Sequence, residues 1–151
     1  MSQTRTVVDT GVIVSAVLLA RSVPRQAFDA AARGKLLVSV ATIAELDEVL
    51  RRPKFNKYVP EEKRLEFLTA LVQAAEQVEV TEVITACRDT NDNKFLELAV
   101  SGRASHILSG DDDLLALHPF RGIAVVTPQV FLASMPGSGA EPTASADRPC
   151  D

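Results

Sequence analysis

The stretch RDTNDNKFLELAVSGRASHILSGDDDLLAL, residues 88–117, decides the fold because it sets acidic residues at both ends of a single helix-and-strand unit. Asp89 and Asp92 precede an apolar helix face, and the acids at 111–113 follow a short apolar run at 107–108 that suits a buried strand. In open α/β sheets, the carboxyl ends of strands and the adjoining helix N-termini border the ligand crevice. We therefore expect both acidic groups at one edge of a sheet.

Strands and helices are expected to alternate along the rest of the chain. Further strands are predicted at residues 6–8, 36–40, 78–80 and 123–126, and helices at 12–20, at 25–32, up to about 52, after Pro60, and from Pro128 to about Ser134. Gly34 is expected to cap the second helix. Because no convincing hairpin signal occurs, the pattern indicates a three-layer α/β/α sandwich with a central, mainly parallel sheet. Right-handed crossovers then bring the strand carboxyl ends to one side.

The composition is typical of one globular domain followed by a tail. Of the 151 residues, 46% are hydrophobic and 24% are charged, which allows a sizeable core. We expect the domain to cover residues 1–135, and residues 136–151, rich in Pro, Gly, Ser, Ala and Thr, to form a disordered tail. The net charge of -4 does not indicate nucleic-acid binding, although bound divalent cations would offset clustered acids.

The sequence predicts a soluble, cytoplasmic protein. The N-terminus lacks a signal-peptide pattern, and the longest apolar candidate, residues 11–20, is shorter than the roughly 20 residues that span a bilayer. Cys87 and Cys150 have no close Cys or His partner at ligand spacing, so both are expected to be free thiols in a reducing compartment. No membrane association is expected.

Four acids from separate elements are candidates for one metal site: Asp9, Glu45, Asp92 and Asp111. Clustered carboxylates repel each other and raise one another's pKa, so such a group is stable mainly with a cation among them. Hard oxygen ligands favour Mg²⁺ or Mn²⁺. A site of this kind can activate water and stabilise charge on a phosphodiester, with one ion or with two that lie about 3.5–4 Å apart.

Glu45 has two interpretations. Thr42 is a candidate N-cap for its helix, and Glu45 then completes a capping box. Alternatively, Glu45 lies at the edge of the buried stripe of Ile43, Leu46 and Leu50 and faces a cleft.

A basic cluster follows the same helix. It comprises Arg51, Arg52, Lys54 and Lys57, interleaved with Phe55 and Tyr58. The basic cluster is either a solvated helix end or a patch that contacts RNA phosphates while the rings stack on unpaired bases.

Four segments of the chain resemble the PIN-domain family, and in particular its bacterial VapC-like branch, described as toxin components of toxin–antitoxin pairs. They are VVDTGVIVSAVL at 7–18, SVATIAELDEVLRRPKF at 39–55, the stretch at 88–117, and IAVVTPQVFL at 123–132. The order and spacing of the segments carry the resemblance, which covers about residues 5–133. The family pattern implies a Mg²⁺- or Mn²⁺-dependent ribonuclease that hydrolyses single-stranded RNA.

The resemblance also implies roles for residues and partners. Asp9, Glu45, Asp92 and Asp111 match the family's catalytic and metal-binding acids, Asp113 matches a less constant acid, and Asp89 is a candidate for a supporting role. A cognate antitoxin and a homodimer are implied as partners beside the RNA substrate.

The chain departs from the family pattern at one position. Gly11 stands where many members carry Asn, so a side-chain amide near the first acid is missing. Ser15 is a candidate to add a hydroxyl near the site, or is an ordinary helix serine. His106 and His118 match no family catalytic position and are expected to be structural.

Two other functions compete with the nuclease. A haloacid dehalogenase-type phosphatase also places an Asp after its first strand, but it needs a second Asp two residues later, where this chain has Gly11. A PIN-like module that binds RNA or protein without cleaving is the alternative from another class. The presence of all four acids argues against such a loss of catalysis.

Overall fold

The computed structural model describes residues 4–134 and has a parallel sheet at its centre. The strands are β1 (Arg5–Val8), β2 (Lys35–Val38), β3 (Glu76–Gln77), β4 (His106–Leu108) and β5 (Ala124–Val126). They lie in the order β3-β2-β1-β4-β5, and every neighbouring pair is parallel. The predicted parallel sheet is confirmed, but its third strand is shorter than predicted and begins two residues earlier.

Helices cover both faces of this sheet. Within residues 4–134 they are α1 (Thr10–Leu18), α2 (Val23–Ala32), α3 (Val40–Leu50), α4 (Glu61–Ala74), α5 (Asn93–Ser101), α6 (Asp112–Leu115) and α7 (Pro128–Ser134). Short 3₁₀ turns occur at Pro53–Phe55 and Thr90–Asp92. The predicted three-layer α/β/α sandwich is confirmed.

Alternating strand side chains divide the core into two clusters. Val8, Leu36 and Leu108 pack with buried residues of α1, α2, α3, α4 and α7. Val7, Leu37, Ile107 and Val125 pack on the opposite side with α5 and α6. Because successive strand residues point to opposite faces, one short apolar run serves both cores. This burial on both faces explains why β1, β2, β4 and β5 each contain consecutive apolar residues.

The strand order reverses next to β1. The chain runs outward from β1 through β2 to β3, and then returns to the other side of β1 to form β4 and β5. The amide of Asp9 donates to the carbonyl of Leu108 over 3.0 Å, so the pairing of β1 with β4 continues to the end of both strands. In open α/β sheets a ligand crevice lies at such a reversal, outside the strand carboxyl ends.

The start of α3 corrects one prediction. Ser39 is the N-cap, and its hydroxyl accepts from the Thr42 amide while Thr42 Oγ1 accepts from the Ser39 amide. Thr42 is therefore the third helical residue of a capping box rather than the N-cap, because the buried Ser39 already ends the strand. Glu45 is consequently free of any capping role.

Gly34 is required by close approach. A Cβ atom at this position would lie 2.4 Å from the Thr4 carbonyl oxygen, which accepts from the Lys35 amide at the start of β2. The backbone of Gly34 is not in the left-handed region that a capping glycine adopts, so the predicted capping role is wrong.

Arg64 is buried completely although it carries a charge. Its guanidinium donates to the Leu50 carbonyl over 2.7 Å and to the Arg52 carbonyl over 3.2 Å, at the C-terminal end of α3. It also donates to the Asn56 side chain over 3.0 Å and to the Val59 carbonyl. Helix C-terminal carbonyls carry partial negative charge, so they can hold a cation without a carboxylate.

Some predictions lie outside the described residues. The tail at 136–151, the domain end at Met135 and the thiol of Cys150 belong to this group. Cys87 is a free, buried thiol. No helix within residues 4–134 combines the length and apolarity needed to cross a membrane.

Candidate functional site

Asp9 is the buried acid at the carboxyl end of β1 and the N-cap of α1. Its Oδ1 accepts from the Val12 amide over 2.8 Å, and its Oδ2 accepts a short hydrogen bond from the Ser109 hydroxyl. Burial raises the pKa of Asp9, the two hydrogen bonds lower it in part, and the charges of Asp111 and Glu45 raise it further. The fold thus fixes this carboxylate in a place that is costly to ionise without a cation.

Asp111 is held beside Asp9 by the turn that follows β4. The Ser109 hydroxyl accepts from the Asp111 amide over 2.9 Å while it donates to Asp9, so one buried hydroxyl connects the two acids. Oδ1 of Asp111 accepts from the Asp113 amide over 2.7 Å and caps α6. The Asp113 carboxylate lies 3.5 Å from Arg88.

Asp92 and Asp89 complete an acidic group with Asp111. One carboxylate oxygen from each of the three residues lies within 4.8 Å of the others. Burial, then the charge and hydrogen bond of Asp111, and then the charges of Asp89 and Asp9 raise the pKa of Asp92 to about 7. The group therefore carries more negative charge than its surroundings offset.

Glu45 faces the same cleft from α3, where Lys94 of α5 meets it. Lys94 Nζ lies 3.1 Å from Glu45 Oε1. That oxygen is shielded from solvent and has no aligned hydrogen-bond donor, so the contact is ionic. The inward orientation, rather than the capping interpretation, is the observed one.

One cleft brings the four predicted acids together. It is lined by Asp9, Thr10, Gly11, Val12, Ser15, Pro24, Glu45, Asp92, Phe95, Gly110, Asp111 and Pro128. The cleft opens at the carboxyl ends of β1 and β4, where the strand order reverses. Ser15 lies in its wall, and a Cβ atom at Gly11 would make ordinary contact with Asp9 Oδ1 at 3.7 Å. The Cβ atom of an Asn in place of Gly11 would therefore fit without a clash.

The remaining predicted site residues lie elsewhere. Asp113 is outside the cleft lining and supports Asp111 through its amide. In the basic cluster, Arg51 pairs with Asp47 at 3.0 Å and Arg52 pairs with Glu48 at 3.2 Å. Lys54 and Lys57 each lie 5.2 Å from a ring centroid, of Phe55 and Tyr58 respectively.

The two histidines have structural contacts. His118 Nδ1 accepts from the Val125 amide over 2.9 Å, and the ring of His106 meets Phe131 edge-on. Burial lowers the pKa of His106. Both contacts agree with the structural roles expected for these residues.

Sequence reasoning missed three residues that shape the site. They are Ser109, which connects Asp9 and Asp111, Lys94, which contacts Glu45, and Asn93, whose Oδ1 accepts from the Cys87 amide over 2.9 Å. For Ser109 and Asn93, the available signal was a neutral polar residue within two positions of a predicted acid at the end of a buried strand or at the start of a helix. Both residues are buried, and buried polar groups are nearly always hydrogen-bonded.

The comparisons with known proteins agree with this geometry. The family model described as PIN domain matches residues 5–113. The chain belongs to the PIN-domain family. An uncharacterised protein from Methanocaldococcus jannaschii is 31% identical over 116 residues, which cover 75% of this chain and 74% of that protein. The resemblance predicted from the four segments is confirmed, and PIN domains are nucleases.

A solved structure shows the same fold at low sequence identity. It is a chain of VapBC2 from Rickettsia felis, crystallised with a DNA fragment from their promoter. The TM-score is 0.55 at 13% identity, and the match covers 81% of this chain and 97% of that chain. At this identity the likeness concerns the PIN fold alone. Family membership also removes the haloacid dehalogenase alternative.

The donor set of the cleft fits a hard divalent cation. Asp89, Asp92 and Asp111 offer carboxylate oxygens at mutual distances that one ion can bridge. The raised pKa of Asp92 shows that a positive charge placed there would relieve repulsion. Oxygen ligands of this type suit Mg²⁺ or Mn²⁺ better than zinc or copper.

Proposed function

We propose that this PIN domain is a Mg²⁺- or Mn²⁺-dependent endoribonuclease and the toxin of a toxin–antitoxin pair. The single observation that carries the nuclease proposal is the convergence of Asp9, Glu45, Asp92 and Asp111 on one cleft at the strand reversal. Four carboxylates from four elements are costly to gather, and a divalent cation is the simplest partner that offsets this cost.

Asp9, Asp92 and Asp111 are the residues we assign to metal binding, with Glu45 at the opposite wall and Asp89 as a further ligand candidate. A divalent cation bound there supplies an activated water and stabilises charge on the phosphodiester. The protein's own contribution is to fix the acids before substrate arrives. The Val12 amide donates to Oδ1 of Asp9 and the Ser109 hydroxyl donates to Oδ2. Each of these two oxygens has a second lone pair that could bind a cation.

Single-stranded RNA is the proposed substrate because of the family resemblance, and the openness of the cleft supports a polymeric substrate. An unpaired strand can lay its phosphate over the acids, and the basic cluster beyond α3 can contact neighbouring phosphates. The cluster's rings can stack on unpaired bases without sequence preference. Arg51 and Arg52 are paired with acids of α3, so a phosphate must compete with Asp47 and Glu48 for these two cations.

The toxin role is proposed from the resemblance to VapC-like proteins and from the fold shared with the Rickettsia felis VapBC2 structure. We propose a small cognate antitoxin as the protein partner and a homodimer as the assembly. Inspection of the neighbouring genes for a small reading frame, followed by co-expression of this chain with its product, tests this role. Recovery of growth and co-purification are expected, and growth inhibition that the neighbouring protein does not relieve would contradict it.

The chemistry is tested by incubating the purified chain with a labelled single-stranded RNA and a DNA of the same sequence. Cleavage of RNA is expected with Mg²⁺ or Mn²⁺ and not with excess chelator. Binding of RNA without cleavage under all metal conditions would favour the non-catalytic module instead. Cleavage of DNA at an equal rate would contradict the proposed substrate class but not the nuclease.

A further inference from the structure

Lys94 lies beside the acidic cleft, between the lining residues Asp92 and Phe95 in the sequence, and its ammonium contacts Glu45 of the cleft wall. It lies in the first turn of α5, two residues after Asp92. Its Nζ donates to the Asn91 carbonyl over 2.5 Å and lies 5.6 Å from the Phe95 ring centroid. Its side chain is only 19% exposed, unlike that of a solvated lysine.

Lys94 forms an ion pair with Glu45. Its ammonium lies 3.1 Å from Glu45 Oε1, an oxygen that is shielded from solvent. A buried carboxylate oxygen is costly unless a charge or a hydrogen bond compensates it. The helix cap of α3 does not use Glu45, because Ser39 and Thr42 complete it. Lys94 is therefore the group that compensates the shielded oxygen of Glu45.

Lys94 is much less exposed than Arg88, a second cation that contacts an acid near the cleft within the described residues. Arg88 lies 3.5 Å from Asp113, but its side chain is 90% exposed. Exposed ion pairs contribute little, whereas a mostly buried pair is less screened by solvent. The charge of Lys94 thus acts on the cleft more strongly than that of Arg88.

We propose that Lys94 is a positioning residue that holds Glu45 at the wall of the cleft and, by its charge, lowers the affinity of the cleft for divalent cations. The inference rests on the proposed metal-dependent nuclease function. With Lys94 present, one ammonium offsets part of the charge of the acids, and Glu45 stays directed at α5. Without it, Glu45 is free to turn toward the ion, and the metal is held more tightly but in a poorer geometry.

Lys94→Gln tests the proposal through metal binding as well as cleavage. Removal of one positive charge near the site should tighten Mn²⁺ binding by on the order of ten-fold, measured by calorimetry on the full chain. Cleavage of RNA at saturating Mn²⁺ should fall by on the order of ten-fold, because Glu45 is no longer held. A merely structural lysine would weaken both properties together, and this result would overturn the proposal.

Two variants serve as controls. Lys94→Arg keeps the charge and should keep Mn²⁺ affinity within about two-fold of the wild type, although its planar head differs from an ammonium. Lys63→Gln removes the same charge from the exposed face of α4, where Lys63 lies 3.5 Å from Glu66, and should change neither property. An equal tightening of Mn²⁺ binding in Lys63→Gln would show that net charge alone acts, and would overturn the role of Lys94.

A double-mutant cycle with Glu45→Gln separates positioning from folding. In the Glu45→Gln background, Lys94→Gln should have less effect on cleavage than in the wild type, because the charge that it holds is gone. Equal effects in both backgrounds would overturn the proposal, and the cycle can be completed with Lys94→Met, which also removes the charge, if Lys94→Gln does not fold. Wild-type protein that binds no Mn²⁺ would instead refute the proposed function.

Discussion

Two regions of this PIN domain bury charge, and they handle it in opposite ways. Around Arg64, a single cation is surrounded by carbonyl oxygens of Leu50, Arg52 and Val59 and by the Asn56 side chain. In the cleft, several carboxylates gather around few positive groups, and the pKa of Asp92 rises to about 7. The protein itself supplies hydrogen-bond partners for the charge of Arg64, whereas it does not supply enough positive charge to offset the acids of the cleft.

The difference separates a structural charge from a functional one. A buried charge with all its hydrogen bonds satisfied stabilises one conformation, because moving it would leave carbonyls without donors. Acids that raise one another's pKa are stabilised when a cation binds among them. Groups with such perturbed pKa values are common at functional sites. The following predictions test this distinction, beginning with the largest expected effect.

Asp9→Asn should abolish metal-dependent cleavage, with a loss of at least about 100-fold, because a neutral amide binds a divalent cation far less well than a carboxylate. The fold should persist, because Asn is also a good N-cap and can accept from the Val12 amide. RNA cleavage and thermal unfolding measure the two properties. Asp29→Asn, on the exposed side of α2, is the matched control. Full activity of Asp9→Asn would make Asp9 a structural charge like Arg64.

Arg64→Met should lower the free energy of unfolding by about 3 kcal/mol, since several buried carbonyls lose their donor. For a chain of this size, that loss corresponds to a melting temperature lower by roughly 6–12 °C. Arg64→Lys should recover only part of the stability, because an ammonium cannot reproduce the donor fork. Arg33→Met at an exposed position is the control. An unchanged melting temperature for Arg64→Met would contradict the assigned structural role.

The stability of the metal-free protein should depend on pH through Asp92. The pKa of Asp92 is raised in the folded state, so the unfolded chain releases this proton at lower pH and stability falls as pH rises from about 4 to about 7. Thermal unfolding in chelator should show this decline, and Mn²⁺ should reverse it above pH 7.

Asp92→Asn sharpens the same measurement. The variant should melt a few degrees higher than the wild type at pH 8 in chelator, and it should gain less from Mn²⁺. At pH 4 the two proteins should melt at similar temperatures, because the acid is then protonated in the wild type. A lower melting temperature at pH 8 would show that the charge of Asp92 is satisfied within the protein.

The basic cluster should give the smallest effect. Lys54→Glu with Lys57→Glu should weaken RNA binding by several-fold at low salt and less at high salt, because phosphate contacts are screened. Arg51→Glu with Arg52→Glu should also weaken binding at low salt, but part of their charge is already engaged by Asp47 and Glu48. Fluorescence anisotropy at two salt concentrations measures both pairs. Salt-independent affinities would show that the basic cluster is a solvated helix end and does not contact RNA.

The sequence predicted the sheet and the four converging acids well, because both depend on short apolar runs that end in a carboxylate. It predicted the helix cap at α3 wrongly, because Ser39, Thr42 and Glu45 all have the residue types of a capping box and only the strand end selects among them. The role of Gly34 was also predicted wrongly as a helix cap, because the local sequence does not show that Thr4 packs closely against it.

The roles of Arg64 and Lys94 depend on the folded arrangement of the chain. The partners of Arg64 lie 5 to 14 positions earlier, and they surround it only because the chain turns back from α3 into α4. Arg64 lies on the same helical stripe as Leu68 and Leu71, and a charged residue on an apolar stripe was the available signal. Lys94 gave no such signal, because Glu45 lies 49 positions earlier and only the assembled cleft brings them together.

The hydrogen bond from Ser109 to Asp9 joins residues that are 100 positions apart. A ribosome-bound chain that has not yet released β4 contains Asp9 and Glu45 but cannot form this bond or present Asp111. The proposed nuclease site is consequently absent from a partly synthesised chain, and it can assemble only after translation has passed the second acidic group.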